Sequence, residues 1–321
     1  MRTQSGPVPN FTWSTQQRIA PAITTSKPPA LVAYQGYLYA FHENYGDQGR
    51  LQYTRRLLSD PTAPWSANAN VGGNDAFVGT TGTPAAIVLK DARGERIYVF
   101  HEGAGLDGWL HLSIFDGRIW VQDSLPKQPG GGAIGTSRRP GLIVVGNTLY
   151  IVHWGQGEGH LWLATYDPAK GKFGSDNDSG YQVYGAPSVV ATPSQGFLAV
   201  TPSQAEYGPR LWSWIYDIPT TSWGRLSNFP TMISATAPAL AEISDRTYFF
   251  YDKFEIVPTG NMVCYIGDLA NLTFSGAFYT PVRTRGTPGM HYDKERRLLT
   301  CITENPDDLG YLTQTTATVD V

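Results

Sequence analysis

Short apolar runs alternate with polar, glycine-rich segments along the whole chain, and the same arrangement recurs six times. Each unit opens with a polar stretch and a proline, continues through three apolar runs, and closes on a large aromatic residue. The opening prolines are Pro29, Pro84, Pro140, Pro187, Pro238 and Pro288. Because proline has no amide hydrogen to donate, it suits the first residue of a strand. A repeat of about 50 residues with about four short strands predicts an all-β protein, a six-bladed β-propeller with four-stranded blades.

Residues of one type recur at matching positions in the units, and these columns locate the strands. The second run is rich in aromatic and branched side chains, which pleated and packed strands prefer. The third run carries an aliphatic column at Leu51, Leu110, Leu161, Leu211, Val263 and Leu312. The fourth segment carries large aromatics at Trp65, Trp120, Phe173, Trp223 and Phe274. Because aromatic side chains bury large areas, we interpret this last column as packing between blades.

The sixth unit has no fourth strand after its third run, because the sequence stops at Val321. A matching segment, with Trp13 in the place of the large aromatic, lies at residues 10–14. We therefore expect a ring closed by an N-terminal strand that completes the last blade, which removes the exposed strand edges of an open ring. The predicted blades begin near residues 24, 80, 135, 183, 233 and 283, within a single β-propeller domain that spans residues 1–321.

Composition and charge say more about which partners the protein can bind than about its fold. The formal net charge of −3 indicates no general attraction to nucleic acid. No apolar stretch reaches the roughly 18 residues of a membrane-spanning helix, and the N-terminus lacks an apolar signal core. We therefore expect a soluble protein that is cytoplasmic or exported by a non-classical route, unless a signal was removed. Two cysteines, Cys264 and Cys301, leave a disulfide and two isolated thiols both open.

In a propeller, the segment before each opening proline and the loop between the second and third strands share one face. The segments before the prolines hold Lys27, Arg138, Arg139 and Arg285, and we expect them to ring the mouth of the central channel. The second run of each unit ends at the same face, at Glu43, Glu102, Trp154, Pro202, Asp252 and Glu304. The carboxylates among these residues are placed to pair with the cations as a salt-bridged rim, or to grip a hydroxylated ligand.

Histidine occupies one position of the second run in the first three units, at His42, His101 and His153. Matching positions on neighbouring blades diverge from the axis, which places these side chains too far apart to share a zinc ion at bonds of about 2.0–2.1 Å. We interpret the histidines as hydrogen-bonded polar groups between blades. The sequence therefore predicts no metal site and no other cofactor.

A further column begins the third strand directly after a polar loop, at Arg50, Trp109, His160, Arg210, Met262 and Tyr311. Trp212 lies two residues further along its strand and adds another aromatic ring. Arginine offers a planar fork of donors, and tryptophan or tyrosine offers a flat apolar face. A sugar ring presents hydroxyl groups and an apolar CH face, so this column suits a carbohydrate.

The repeat as a whole resembles the repeats of bacterial and fungal propeller lectins. The shared pattern runs from Thr-Ser-x-x-Pro-Ala-Leu through Gly-x-Leu-Tyr-x-Phe-His to a glycine loop, x-Leu-x-Tyr and Trp-Ser. The six-bladed fucose-binding lectins and related seven-bladed lectins have such repeats, and they bind monosaccharides between adjacent blades through Arg, Glu and Trp or Tyr. The resemblance implies three candidate pairs: Arg50 with Glu43, Trp109 with Glu102, and Arg210 with Trp212. No Arg-Glu-Trp set repeats in every blade, and the aspartate boxes of sialidases are absent.

The leading hypothesis is a non-catalytic, lectin-like propeller that binds a carbohydrate or glycoconjugate at inter-blade or rim pockets. Aromatic stacking and hydrogen bonds from arginine and glutamate would supply the contacts. The candidate ligand-binding residues are Glu43, Arg50, Glu102, Trp109, Trp154, His160, Arg210, Trp212, Glu304 and Tyr311.

Two alternatives stay open. The first is an enzyme, for example a glycoside hydrolase, with one asymmetric pocket at the channel mouth and carboxylates drawn from Glu43, Glu102 and Glu304. The second is a protein-interaction or toxin-targeting platform. Several similar pockets around the rim would favour a binding protein, whereas one deep pocket holding a carboxyl group of shifted pKa would favour an enzyme.

Overall fold

The computed structural model describes residues 9–19, 23–45, 49–73, 77–157, 159–194, 196–205, 208–226, 232–252, 261–304 and 310–320. This part of the chain forms six antiparallel sheets and a single short 3₁₀ turn. The described chain begins with β1 (Asn10–Trp13) and β2 (Gln17–Arg18), which both pair with the final strand. None of the described residues forms a helix with the length and apolarity that crossing a membrane requires.

The first three blades each start directly after an opening proline. Blade 1 comprises β3 (Ala30–Tyr34), β4 (Tyr37–Glu43), β5 (Leu51–Leu57) and β6 (Ala69–Asn70). Blade 2 comprises β7 (Ala85–Asp91), β8 (Gly94–Glu102), the 3₁₀ turn Ala104–Leu106, β9 (Leu110–Phe115) and β10 (Trp120–Ser124). Blade 3 comprises β11 (Gly141–Val145), β12 (Thr148–Trp154), β13 (His160–Asp167), β14 (Lys172–Phe173) and β15 (Asn177–Gln182).

The remaining blades repeat the arrangement. Blade 4 comprises β16 (Ser188–Thr192), β17 (Gly196–Ala205), β18 (Gly208–Asp217) and β19 (Ser222–Arg225). Blade 5 comprises β20 (Ala239–Ile243), β21 (Arg246–Asp252), β22 (Asn261–Asp268) and β23 (Thr273–Arg283). Blade 6 comprises β24 (Gly289–Asp293), β25 (Leu298–Glu304) and β26 (Leu312–Asp320), with β1 as its outer strand. The predicted six-bladed propeller with four-stranded blades is confirmed, with β2 of blade 6 and β15 of blade 3 as additional short strands.

The first strands of the six blades face the axis and close the ring. Each contacts the first strand of the next blade, including β24 of blade 6 against β3 of blade 1. Their opening residues line a narrow channel of about 140 Å³ along the axis. The ring therefore surrounds a central channel, and the candidate site lies at the wide end of this channel.

The predicted ring closure is confirmed in register as well as in topology. In the pairing of β1 with β26, Trp13 lies opposite Ala317 and Phe11 lies opposite Val319. The Phe11 ring also packs on blade 5, with its centroid 5.4 Å from that of Tyr248. The N-terminal strand thus completes one blade and adds apolar contact with the preceding one.

The outer aromatic column packs onto preceding blades as predicted. The Trp120 ring of blade 2 lies 6.2 Å from the Phe41 ring of blade 1. The Trp65 indole of blade 1 donates to Gln314 Oε1 of blade 6 at 2.8 Å. Trp65 lies between β5 and β6, so this member of the column precedes the fourth strand instead of standing in it.

The structure corrects the alignment of blade 5 by one residue. In four other blades the last residue of the second strand lies opposite the aliphatic residue of the third, as Glu43 lies opposite Leu51. In blade 4, where β17 continues to Ala205, Pro202 takes this place opposite Leu211. In blade 5, Asp252 lies opposite Met262, so Met262 and not Val263 belongs to the aliphatic column. Both side chains are buried, so hydrophobicity alone does not distinguish them. Hydrogen-bonded pairing decides the register.

Candidate functional site

A cavity of about 730 Å³ opens at the wide end of the central channel. All six blades contribute to its wall through the residues that precede the opening prolines, as the sequence predicted. We call these residues the mouth segments: 26–28, 81–83, 137–139, 184–186, 235–237 and 285–287. Glu102, Trp154, Pro202 and Glu304, which end or nearly end the second strands, complete most of the wall.

A buried hydroxyl holds five of the six mouth segments in the same turn. The Thr25 hydroxyl donates to the Lys27 carbonyl oxygen at 2.6 Å, and Thr136 donates to the Arg138 carbonyl oxygen at 3.0 Å. Thr80, Ser234 and Thr284 make the same bond. The sequence contains this signal as a threonine or serine four residues before each opening proline except Pro187, although nothing in the pattern shows that the hydroxyl closes a turn. These turns present the residues that follow each hydroxyl to the cavity.

Two buried carboxyl groups stand in the cavity wall. Glu102 is 4% exposed and Glu304 is 9% exposed. Burial raises the pKa of each group, and the nearby charge of Lys27 opposes that rise for both. Lys27 of blade 1 is therefore a shared neighbour of carboxyl groups from blades 2 and 6.

Two further carboxyl groups lie behind the same rim. Burial raises the pKa of Asp252 to about 6, against the opposing effects of the hydrogen bond from Gly286 and the charge of Arg285. The Gly286 amide donates to Asp252 Oδ2 at 3.3 Å. The Ser26 hydroxyl donates to Glu43 Oε2 at 2.7 Å. Acidic and basic side chains therefore alternate around blades 5, 6, 1 and 2.

Blades 3 and 4 contribute aromatic side chains to the wall of the cavity. Trp154 and Tyr184 line it together with Pro202, and Tyr184 is 41% exposed. The Arg138 guanidinium lies over the Trp154 ring at 5.1 Å. Tyr184 did not stand out in the sequence because its mouth segment lacks the threonine or serine found in the others. The cavity therefore combines buried carboxyl groups with flat apolar faces.

Arg139 lies where the cavity narrows into the axial channel, because it lines both spaces. Its Nε and Nη1 atoms are inaccessible to solvent and have no hydrogen-bond partner. Burial lowers the pKa of Arg139 to about 10, so the guanidinium stays charged at neutral pH. Among the described residues no carboxylate forms an ion pair with it. The expected salt bridge between Arg139 and a rim carboxylate is therefore not formed.

The predicted residues at the starts of the third strands occupy equivalent positions. Each pairs with the residue just before the next mouth turn: Arg50 with Gly79, Trp109 with Gly135, His160 with Gln182, Arg210 with Ile233 and Tyr311 with Thr24. In blade 5 this place belongs to Asn261, opposite Arg283, and not to Met262. None of the five predicted residues is in the described wall of the central cavity.

The members of this column make separate local contacts. The Arg50 guanidinium lies 5.0 Å from the Phe77 ring centre, and His160 Nδ1 lies 2.9 Å from Asp178 Oδ2. The Trp109 side chain is 38% exposed. The structure thus groups Glu102, Trp154 and Glu304 in one cavity and distributes the third-strand residues around its outside.

Arginine side chains of the same blade lie over the rings of two predicted ligand-binding residues, Trp212 and Tyr311. Arg225 lies over the Trp212 ring at 4.1 Å, and Trp212 packs edge-on against Trp214. Arg18 lies over the Tyr311 ring at 4.3 Å. Each ring already has a cation on one face.

The histidine column is buried, and the side-chain partners of His42 and His153 belong to the same blade as each histidine. His42 Nε2 lies 3.2 Å from Asn68 Oδ1, and His153 Nε2 lies 2.8 Å from Asp176 Oδ1. Both partners precede the outer strand of the same blade. Within the described ranges no three potential ligands among His, Cys, Asp and Glu come together as a metal site. Cys264 and Cys301 are both buried and free.

No protein-family model matches the sequence, and no curated protein matches it. Solved structures do match over nearly the whole chain. An alpha-L-arabinanase from Penicillium chrysogenum in complex with arabinobiose gives a TM-score of 0.69 at 14% identity, covering 95% of this chain and 98% of that one. An alpha-L-arabinofuranosidase from Fusarium graminearum in complex with an iminosugar inhibitor gives 0.63 at 13%, covering 92% and 93%.

A lectin shows a similar likeness. A variant of the Aleuria aurantia lectin in complex with Fucalpha1-6GlcNAc gives a TM-score of 0.62 at 12% identity, covering 94% of this chain and 97% of that one. The predicted resemblance to propeller lectins is thereby confirmed in structure. At these identities the likeness shows the fold alone, and the same fold carries both sugar-binding and sugar-cleaving proteins.

Proposed function

We propose that this protein binds a carbohydrate in the cavity at the mouth of its central channel. The observation that carries the proposal is the division of the cavity between carboxyl groups and aromatic faces. Glu102 and Glu304 supply the carboxyl groups, and Trp154 and Tyr184 supply the aromatic rings. Carboxyl groups bond sugar hydroxyls, whereas aromatic rings stack on the CH face of a sugar ring. A volume of about 730 Å³ is in the range of small-molecule sites and accommodates a short saccharide.

The neighbours in fold support this proposal without deciding its chemistry. Two of them are named as enzymes that act on arabinose-containing sugars, and one is a lectin solved with a fucosylated disaccharide. Carbohydrate binding is common to all three. The lectin-like, non-catalytic role remains our first proposal, and we propose the central cavity as its main site.

Peripheral sugar sites formed by the third-strand column are a second proposal within the same function. Arg50, Trp109, His160, Arg210 and Tyr311 stand at equivalent places around the ring. Trp109 is the member with a clearly exposed ring. Such sites would repeat around the rim, whereas the central cavity binds one ligand.

Glycoside hydrolysis is the alternative that a specific observation favours. Glu102 and Glu304 share Lys27 as a neighbour, and burial raises the pKa of both carboxyl groups. In hydrolysis one carboxylic acid protonates the glycosidic oxygen, while a second, ionised carboxylate activates water or attacks the anomeric carbon. A raised pKa suits the group that delivers the proton.

A glycan array followed by calorimetry tests the proposal. We expect Trp154→Ala to weaken binding of the selected saccharide about tenfold or more, because a stacking face is lost. Trp109→Ala is the matched control, since this indole lies outside the cavity wall. If Trp109→Ala weakens binding and Trp154→Ala does not, the ligand occupies the peripheral sites. Absence of binding to any saccharide at millimolar concentration would refute carbohydrate recognition altogether.

The same saccharides separate a lectin from a hydrolase. An enzyme releases new reducing ends during incubation, and Glu102→Gln or Glu304→Gln abolishes release while leaving binding measurable. If the native protein is a lectin, it releases no new reducing ends.

A further inference from the structure

Arg139 is a charged group without a partner at the bottom of the cavity. Its Nε and Nη1 atoms are buried and unbonded. The narrow channel beneath it is lined mainly by alanine, glycine, proline and aliphatic residues from the first strands. A half-buried guanidinium whose two buried nitrogens lack partners is unfavourable unless an anion accompanies it. An arginine kept in this position therefore indicates a ligand that supplies the negative charge.

The charge balance of the cavity wall agrees with this indication. Lys27, Arg138, Arg139 and Arg285 line the cavity, against the two carboxyl groups of Glu102 and Glu304. Asp252 and Glu43 lie behind the wall, where Gly286 and Ser26 donate hydrogen bonds to them. The protein as a whole carries a formal charge of −3, so an excess of cations on this wall is a local feature. A concave site with such an excess attracts anionic ligands.

Each of the other three cations of the wall lies near a carboxyl group or an aromatic ring. Arg138 is exposed and lies over the Trp154 ring. Arg285 is exposed and lies near the carboxyl groups of Asp252 and Glu304. Lys27 lies near Glu102 and Glu304. Among these described cations, Arg139 is half-buried, has two guanidinium nitrogens that are inaccessible to solvent and unbonded, and has no carboxyl group or aromatic ring beside it.

We propose that the ligand of the cavity is an acidic saccharide, a sugar bearing a carboxylate such as a uronic acid, and that its carboxylate pairs with Arg139. This inference rests on the proposed carbohydrate function and specifies its ligand class. The guanidinium fork matches a carboxylate in two parallel hydrogen bonds. The aromatic faces of Trp154 and Tyr184 and the volume of the cavity match a sugar ring rather than a small inorganic anion.

The test compares acidic saccharides with neutral versions of the same molecules. Oligogalacturonides and hyaluronan oligosaccharides are each offered to the intact protein beside their carboxyl-reduced counterparts, and inorganic phosphate is measured separately. We expect at least one acidic saccharide to bind about tenfold or more tightly than its reduced form, the usual effect of a hydrogen bond to a charged group. Arg139→Gln should bring the two affinities close together while binding of the reduced form persists.

Arg118→Gln is the control, because it removes one exposed positive charge from a turn between β9 and β10, outside the cavity wall. It should leave the preference for the acidic saccharide unchanged. The melting temperature separates a ligand role from a structural one. Arg139→Gln should melt at the same temperature as the native protein or higher, because an unpaired buried charge is removed. A lower melting temperature would overturn the inference by assigning Arg139 to the fold.

The remaining outcomes distinguish this inference from the function on which it rests. Equal affinity for acidic and reduced saccharides would overturn the acidic ligand and leave carbohydrate binding intact. Phosphate binding as tight as that of the best acidic saccharide, and lost in Arg139→Gln, would show a simple anion site and overturn the inference. Absence of binding to every saccharide in both forms would overturn both proposals.

Discussion

Replacing Asp252 by asparagine should stabilise the protein at neutral and alkaline pH. Asp252 ends β21 behind the rim of the cavity, and burial raises its pKa from an ordinary value of 3.8 to about 6. Between these two pH values the unfolded carboxyl is ionised while the folded one still holds its proton. The folded state then binds more protons, so stability falls as pH rises through this window.

The size of the effect follows from the pKa difference. About two pKa units correspond to about 3 kcal/mol at 1.4 kcal/mol per unit. Because the group is only partly buried, solvent screening reduces this to about 1–2 kcal/mol. Asparagine keeps an oxygen that accepts the hydrogen bond from the Gly286 amide, now 3.3 Å long. Asp252→Asn should therefore gain about 1–2 kcal/mol in the free energy of unfolding above pH 7 and nothing near pH 4.

Urea denaturation followed by tryptophan fluorescence at pH 4, 5, 6, 7 and 8 measures this difference directly. Asp116→Asn is the control of opposite sign. The Asp116 carboxylate accepts hydrogen bonds from the amides of Arg118 and Ile119 at 2.8 and 2.9 Å, which lower its pKa. Its replacement should cost stability above pH 4. An Asp252→Asn variant that is less stable than the native protein at pH 8, or whose gain does not vary with pH, would refute the reasoning.

Two further substitutions test the ring itself by urea denaturation. Phe11→Ala should cost about 2–3 kcal/mol, since a half-buried ring loses its contacts with blade 5, whereas the exposed Thr12→Ala should change little; equal effects would contradict the role of β1 in closure. Gly49→Ala should cost about 2 kcal/mol or more, because φ is +75° and the new methyl carbon would lie 2.4 Å from the Thr80 carbonyl oxygen. Gly36 also has a positive φ, +78°, but open space around it, so Gly36→Ala should cost about 1 kcal/mol. A loss as large as that of Gly49→Ala would exclude the close approach to the Thr80 carbonyl oxygen as the cause.

The sequence predicted the fold well because a propeller is built from one local unit repeated. Proline before the first strand, apolar runs of strand length and an outer aromatic each report a local requirement. The N-terminal strand could be placed because Trp13 matches the outer aromatic of the other units. Blade 5 was misaligned by one residue because Met262 and Val263 are both apolar and both buried. Register there depends on hydrogen bonds across strands, which hydrophobicity does not encode.

The candidate site was predictable only in part. The columns identified Glu102, Trp154 and Glu304 as residues at the loop face, and the structure brings them into one cavity. The hydroxyl residues recur in the sequence, but their role in holding the mouth turns depends on where the chain turns relative to the axis, and so does the contribution of Tyr184 to the cavity. That the third-strand column also binds a ligand stays a prediction, which the Trp109→Ala variant tests.

Arg138 and Arg139 show where the sequence stops being informative. As neighbours before Pro140 they have the same charge and the same predicted role of pairing with rim carboxylates. The sequence by itself determined the six-bladed ring and which segments meet at its mouth, because both follow from local patterns that repeat. Only the tertiary structure decided that Arg138 lies over Trp154 while Arg139 lies at the entrance of the axial channel with two buried nitrogens and no counter-charge. The reason is that the surroundings of a charge come from all six blades at once, and residues distant in sequence set whether it is solvated, paired or left for a ligand.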